Sequence, residues 1–205
     1  MKIRLTRFIE AYYGNPKGIF GLWIGEKMVK QHQPETFWTI DLIKLQPNDK
    51  VLELGCGAGF AIQLLQNQLT DGHVIGIDLS KTMVRSATIR NKKAIKSGRA
   101  EIRYGSAEEI PYPNSSFDKV FSIHSIYFWD DLPRSINEIF RVLKPGGSVI
   151  ITLSYGKGGV VYNHIQNMID QQIIPCMLRV GFSNTNQIIG PDSRVFNTVA
   201  VTGVK

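Results

Sequence analysis

From residue 50 onward, short apolar runs alternate with longer amphipathic stretches. The first of these runs, Val51-Leu52-Glu53-Leu54, gives way at once to Gly55-Cys56-Gly57-Ala58-Gly59. That alternation restricts the chain to one kind of architecture. A short apolar run bounded by turn residues reads as a strand buried on both faces, and the amphipathic stretch after it as a helix returning over the sheet. Strands are expected at 51–54, 73–78, 100–104, 117–123 and 148–154, with helices over 60–65, from Ser80 onward and over 132–143. Lys144-Pro145-Gly146-Gly147 separates the last helix from the fifth strand. Beyond it, 160–178 has helical spacing interrupted by Pro175, and the β-rich stretches 182–189 and 195–204 flank Gly190-Pro191-Asp192 as a hairpin would.

The first 50 residues follow a different pattern. Their helical spacing falls in two pieces broken by Gly14-Asn15-Pro16 and by Pro34, and they carry Phe8, Tyr12, Tyr13, Phe20, Trp23, Phe37 and Trp38. No internal repeat or linker divides the 205 residues, so one domain is expected: an N-terminal helical lid over 1–49, a core over 50–154, and a C-terminal helix and hairpin over 155–205. The hydrophobic fraction of 43% excludes disordered and low-complexity classes. Cys56 and Cys176 form no C-x-x-C pair, which argues against a disulfide framework or a four-ligand zinc site. With no signal-peptide pattern and no apolar run of membrane-spanning length, the expected location is cytoplasmic.

The glycine turn is the first chemical signal. Glycines let a strand-to-helix junction bend sharply and bring backbone close to a ligand, where helix N-terminal amides would face it. A dinucleotide fingerprint needs glycine in the first, third and sixth positions. Here they stand first, third and fifth, with Phe60 in the sixth. Asp78 closes the second strand, where a carboxylate can accept both hydroxyls of a ribose, so an adenosine-bearing ligand is implied. A nicotinamide enzyme is further disfavoured because Tyr155 is not followed by lysine four positions on.

With these features the chain resembles the class I S-adenosylmethionine-dependent methyltransferases, and in particular the small-molecule branch called methyltransferase type 11. Over about residues 50–154 the resemblance rests on the segment from Val51 to Gly59, on Gly76-Ile77-Asp78-Leu79-Ser80 with Met83, and on the segment from Gly105 to Pro113 leading to Ser116-Phe117-Asp118. Glu138 with Arg141-Val142-Leu143-Lys144-Pro145-Gly146-Gly147 completes it. It implies a Rossmann-like, doubly wound α/β fold: a seven-stranded, mostly parallel sheet with an antiparallel C-terminal strand and helices on both faces. It also implies S-adenosyl-L-methionine as cofactor. Gly55, Cys56, Gly57 and Gly59 would wrap its methionine part, with Glu53 toward the ammonium. Asp78 would hold the ribose, and Leu79 and Met83 would press on the adenine. Ala107 and Glu108 would read the adenine edge, and Ile123 or His124 would border the methyl group. Where many relatives carry aspartate this chain has Ser106, shorter and uncharged, so Glu108 or a backbone carbonyl would have to take over that contact.

Transfer of a methyl group from a sulfonium needs alignment more than acid–base help. If the acceptor must lose a proton, His124 is the candidate base; otherwise it is a loop histidine that shapes the pocket. Tyr127 and Trp129, and from the lid Tyr12, Tyr13 and Trp23, are candidates to line an apolar or planar acceptor's pocket, and core packing is the alternative for each. Asp130 and Asp131 read as caps for the next helix. His32, His73, His124 and His164 lie scattered, so no metal site is expected. A small-molecule methyl acceptor and a monomer or homodimer are expected, and a nucleic-acid partner is not.

One alternative comes from charge. Lys81, Arg85, Arg90, Lys92, Lys93, Lys96 and Arg99, with no acid among residues 81–99, account for the whole net charge of +7. On a helical wheel they fill one half and Met83, Val84, Ala87, Ala94 and Ile95 the other, with Ile89 alone on the wrong side. A single basic helix is therefore expected to pack one face on the sheet and to leave a solvated face apart from the cofactor site. The alternative is that this face docks nucleic acid or an anionic surface.

Overall fold

The computed structural model describes residues 29–205. Its elements are α1 (Gln33–Ile43), β1 (Lys50–Leu54), α2 (Phe60–Leu65), β2 (His73–Asp78), α3 (Lys81–Arg90), α4 (Lys92–Lys96), β3 (Ala100–Tyr104), β4 (Phe117–Ile123), α5 (Leu132–Val142), β5 (Leu143–Lys157), β6 (Val160–Val161), α6 (Asn163–Met168), α7 (Ile174–Val180), β7 (Ser183–Ile189) and β8 (Phe196–Val204). The strands run in the order β3-β2-β1-β4-β5-β8-β7, with the two-residue β6 paired to β5 outside that row. Pairing is parallel from β3 through β5, and β8 lies antiparallel to both β5 and β7. This is the doubly wound, mostly parallel sheet expected from the sequence, down to the antiparallel C-terminal strand and the closing hairpin.

Each central strand serves two cores because successive side chains point to opposite faces. Leu52, Leu54, Ile75 and Ile77 pack on one face with Ile136, Ile139 and Val142 of α5 and Met177 of α7. Val51 and Val74 pack on the other with Ile40 and Ile43 of α1, Ile62 of α2 and Ala87 of α3. Two-sided burial is why these strands read as nearly unbroken apolar runs.

The helical break expected at Pro34 is present: the chain is helical at 29–31, bends at His32 and re-enters a helix at Gln33, with Pro34 in the first turn of α1, where an N–H has no intrahelical partner to lose. Three local expectations are corrected. The basic segment is two helices, broken at Asn91 (φ −100°, ψ 15°), whose buried side chain donates to the Gly59 and Ala87 carbonyls. The strand after α5 begins at Leu143 and passes through the Lys144 to Gly147 turn. Leu143 pairs with Phe117 before the excursion, and Ser148 pairs with Lys119 after it. The helical stretch around Pro175 continues through a π-helical segment, Ile169–Ile173, whose wider turn relieves the clash between the proline ring and the preceding carbonyls. Other expectations hold: Ile89 is exposed, and Asp131 caps α5 by accepting the Arg134 N–H at 2.9 Å. Among the described residues no helix is long and apolar enough to cross a membrane.

One ion pair anchors the loop after β3. The Arg141 guanidinium donates to both Glu138 carboxylate oxygens, at 2.6 and 2.7 Å, and to the carbonyls of Tyr112 and Ile110, while Glu138 Oε2 accepts the Ile110 N–H at 2.9 Å. The Arg141 hydrogen bond first, and the Ile110 N–H with it, hold the Glu138 carboxyl below its ordinary range against the opposing effect of burial. A depressed carboxyl contributes stability that is present above the unfolded-state value and is lost as pH falls. Glu138→Gln should therefore lower stability at neutral pH by about 1–3 kcal/mol, the scale of a hydrogen bond to a charged group. In thermal melts between pH 7 and 3, the variant's midpoint should fall less steeply than the parent's.

Candidate functional site

Sequence order along the sheet reverses between β1 and β4, and the turns leaving those two strands part to form a cleft of about 1070 Å³ of open space. Its lining runs from the glycine turn through Ile77, Asp78, Leu79 and Met83 to Ile123, His124, Ser125, Phe128 and Trp129. Val29, His32 and Thr36, from the segment preceding β1, close one side of it.

The glycine turn is held by its neighbours. Gly55 has φ +74°, and a Cβ placed on it would stand 2.2 Å from Ser125 Cβ, so only glycine fits where the β1 and β4 turns meet. Ser125 Oγ donates to the Leu54 carbonyl at 2.9 Å and pairs with Ser122 Oγ. The amides expected to face a ligand are largely spent inside the turn. Gly55 and Cys56 N–H donate to the Ile77 carbonyl, Gly57 N–H to Asp78 Oδ2 and Gly59 N–H to the Cys56 carbonyl. What the turn offers is space: a Cβ on Gly57 (φ +51°) would meet nothing within 4 Å among the described residues. Cys56 packs against Gly76, and burial pushes its thiol well above the usual range, so it is structural and not a nucleophile.

Two carboxyls, Glu53 buried and Asp78 partly so, lie at the back of the cleft. Glu53 is 4% exposed; burial, with Asp78 adding its charge, pushes its carboxyl well up, and among the described residues its Oε2 has no hydrogen-bond partner. Asp78 accepts the Ser80 N–H on Oδ1 and the Gly57 N–H on Oδ2, both at 2.8 Å, and burial raises its carboxyl in spite of those bonds. An ammonium near Glu53 and ribose hydroxyls on the outer lone pairs of Asp78 would supply what these groups lack. The site therefore fits an aminoacyl nucleoside with a positive charge. Leu79 and Met83 line the cleft where the adenine would lie, with Ala107 and Gly105 across from them. Ser106 and Glu108 are not part of the lining. Ser106 Oγ donates to Glu108, whose other oxygen accepts the Asp130 N–H at 2.9 Å, so both are engaged with the loop before α5.

At the opposite end β4 stops at Ile123, and His124 turns the chain in the left-handed region (φ +56°), an uncommon conformation for a histidine. Its Nε2 stands 3.4 Å from Glu35 Oε1, which also lies 3.1 Å from His32 Nδ1. Burial would raise the Glu35 carboxyl, but the hydrogen bonds from His124 and His32 hold it well below the usual range. Burial lowers the His124 imidazole, with Glu35 opposing and with His32 and Arg194 adding to the lowering. Glu35 belongs to α1, which is tied to the sheet by Thr39: its hydroxyl lies 2.7 Å from both the Glu35 carbonyl and Thr152 Oγ1. The expectation that the histidines stay scattered is thus corrected. Folding brings His32 and His124 onto one carboxylate, and sequence spacing could have paired only His32 with Glu35, one helical turn apart.

Of the expected acceptor-side aromatics, Trp129 lines the cleft and Tyr127 does not. The Tyr127 hydroxyl is engaged with the backbone of Ser154, and its ring stacks on His124 at 6.4 Å. Phe128, not singled out in the sequence, takes its place. Tyr12, Tyr13 and Trp23 lie outside the described residues. The separation expected between the basic segment and the site also needs correcting. Arg90 Nε donates to the Ala58 carbonyl at 2.8 Å and Asn91 Nδ2 to the Gly59 carbonyl at 2.9 Å, so this segment holds the glycine turn from behind.

Comparison with known proteins agrees with this fold. The family described as "Methyltransferase domain", of type 11, matches residues 52–151. The uncharacterized methyltransferase YdaC of Bacillus subtilis is 35% identical over 129 residues, 63% of this chain and 69% of that protein. A demethylmenaquinone methyltransferase of Leptospira interrogans is 40% identical over 52% of this chain and 43% of its own. Among solved structures, the putative methyltransferase in complex with the Haloferax volcanii Trm112 methyltransferase activator superposes with a TM-score of 0.75 at 20% identity, covering 89% of this chain and 93% of that one. The chain belongs to the class I S-adenosylmethionine-dependent methyltransferases, in the type 11 family.

Proposed function

We propose that the protein transfers the methyl group of S-adenosylmethionine to a small-molecule acceptor. The observation that carries this reading is the continuity of one cleft: the Gly55 to Gly59 turn and Asp78 at one end, and His124, Phe128 and Trp129 at the other. The bound cofactor supplies a methyl group on a sulfonium, reactive enough that the protein's task is alignment. Asp78 and Glu53 would hold the nucleoside and the aminoacyl arm from the strand ends. Leu79 and Met83 would cover the base, and the wall formed by Ser125 and Ile123 would set where the transferable group lies. Phe128 and Trp129 make the acceptor end partly apolar, and His124 with Glu35 makes one side of it polar. An acceptor combining a planar or apolar body with a polar reacting atom suits such a site. The Leptospira relative named for demethylmenaquinone lends support, although the match covers less than half of that protein.

Calorimetric titration with S-adenosylhomocysteine tests the reading, and absence of binding by the unmutated protein would overturn it. Asp78→Ala removes the ribose acceptor and releases the Gly57 N–H, so affinity should fall at least roughly tenfold, about 1.4 kcal/mol. Two glycine variants should separate fold from site. Gly55→Ala should lower the melting temperature and abolish binding, because its Cβ overlaps Ser125. Gly57→Ala should fold with only the cost of a positive φ, roughly 1 kcal/mol, yet bind poorly because its methyl group stands in the space the ligand needs. Unchanged affinity in Gly57→Ala would show that the turn does not cradle the ligand.

A further inference from the structure

We propose that His32, Glu35 and His124 form a site for a divalent transition-metal ion, zinc by its donor set, that holds an oxygen of the methyl acceptor at the mouth of the cleft. The second half of this statement rests on the proposed methyl transfer; the ion site itself does not. The ligand atoms of the three residues lie within 4.8 Å of one another. Two imidazole nitrogens and one carboxylate oxygen are donors that first-row divalent ions, zinc above all, accept. Around an ion with bonds of about 2.0–2.2 Å, neighbouring donors stand roughly 3.0–3.6 Å apart. Glu35 Oε1 is 3.1 Å from His32 Nδ1 and 3.4 Å from His124 Nε2, so both pairs already have that spacing.

A second observation points to a missing cation. Glu35 is 1% exposed, and among the described residues its Oε2 is buried with no hydrogen-bond partner; the Ser193 hydroxyl is near enough to favour the charged carboxyl but donates to the Gln31 carbonyl at 3.4 Å. A carboxylate placed in the interior with one oxygen unserved is costly unless something charged completes it. The ligands are also held in place. Thr39 fixes the α1 turn that carries Glu35 against β5, and the His124 N–H donates to the Thr152 carbonyl at 2.9 Å. Arg194 is near enough to His124 for its charge to oppose a cation, so the three donors must supply the binding themselves. Three protein ligands leave coordination positions open, as in catalytic rather than structural zinc sites, and both imidazoles line the cleft. In this arrangement His124 is a ligand, not the free general base its position in the sequence suggested.

The test uses the full chain, stripped with a chelator and dialysed, then titrated with zinc chloride by calorimetry and with cobalt chloride by visible absorption. One equivalent of zinc should bind, and cobalt should give the absorption bands of a four- or five-coordinate site. Glu35→Gln and His124→Gln should each weaken zinc binding roughly tenfold or more. His32→Gln, at the more exposed ligand, provides the same test should the buried variants lose their circular dichroism. His164→Gln, which alters an exposed histidine stacked on Tyr162, should bind as the parent does. No binding by the parent, or binding that the folded ligand variants retain at full strength, overturns the site. Titrating the same samples with S-adenosylhomocysteine keeps the two readings apart. Zinc binding without cofactor binding defeats the methyltransferase reading and leaves the ion site, and the reverse result defeats only the ion site.

Discussion

Everything about this cleft depends on two turns that leave adjacent parallel strands at the point where the winding reverses. β1 and β4 are neighbours in the sheet, yet their crossovers go to opposite faces, so the backbone must part above them. Gly55 and Ser125 meet at the base of that gap so closely that no β-carbon fits on the first. The remaining walls follow from this contact. The glycine turn is bound to the end of β2 through the Ile77 carbonyl and the Asp78 carboxylate, and Arg90 and Asn91 grip its outer side. A site assembled in this way is preorganised, since its polar groups are already directed by bonds that exist without a ligand.

The electrostatics divide the cleft into two ends. Glu53 and Asp78 lie together, burial makes each harder to ionise, and the Asp78 charge adds to that cost at Glu53; such a pair is relieved by a cationic ligand bearing hydroxyl donors. At the other end Glu35 is held ionised by two imidazoles, which keeps a negative charge beside a partly apolar wall. The net charge of +7 plays little direct part in either end, because most of it projects from α3 and α4. Its contribution at the cleft is Arg90, whose guanidinium serves the glycine turn.

How much of this was legible in the sequence depended on the range of the interactions involved. Strand positions were legible because two-sided burial writes itself as an apolar run, as in 73–78 and 117–123. The glycine turn and Asp78 were legible because both sit at strand ends, where clustered glycines permit a sharp bend and a lone carboxylate ending an apolar strand needs hydroxyl or N–H donors. Asn91 misled: a polar residue in a basic, amphipathic stretch gives no sign that its side chain will be buried against a loop thirty-two positions earlier.

The sequence by itself determined the layered α/β architecture, the glycine turn and the acid at the end of the next strand. Those features are set by local periodicity and by what individual residues permit in the backbone. Only the tertiary structure decided which distant side chains share the cleft: His124 with His32 and Glu35, Phe128 in place of Tyr127, and Arg90 behind the glycine turn. The physical reason is that these contacts join residues far apart in the chain, 89 positions for His124 and Glu35 and further still for His124 and His32. They arise from how α1, α3 and the β4 turn pack on the sheet, and packing of that range leaves no periodic trace along the chain.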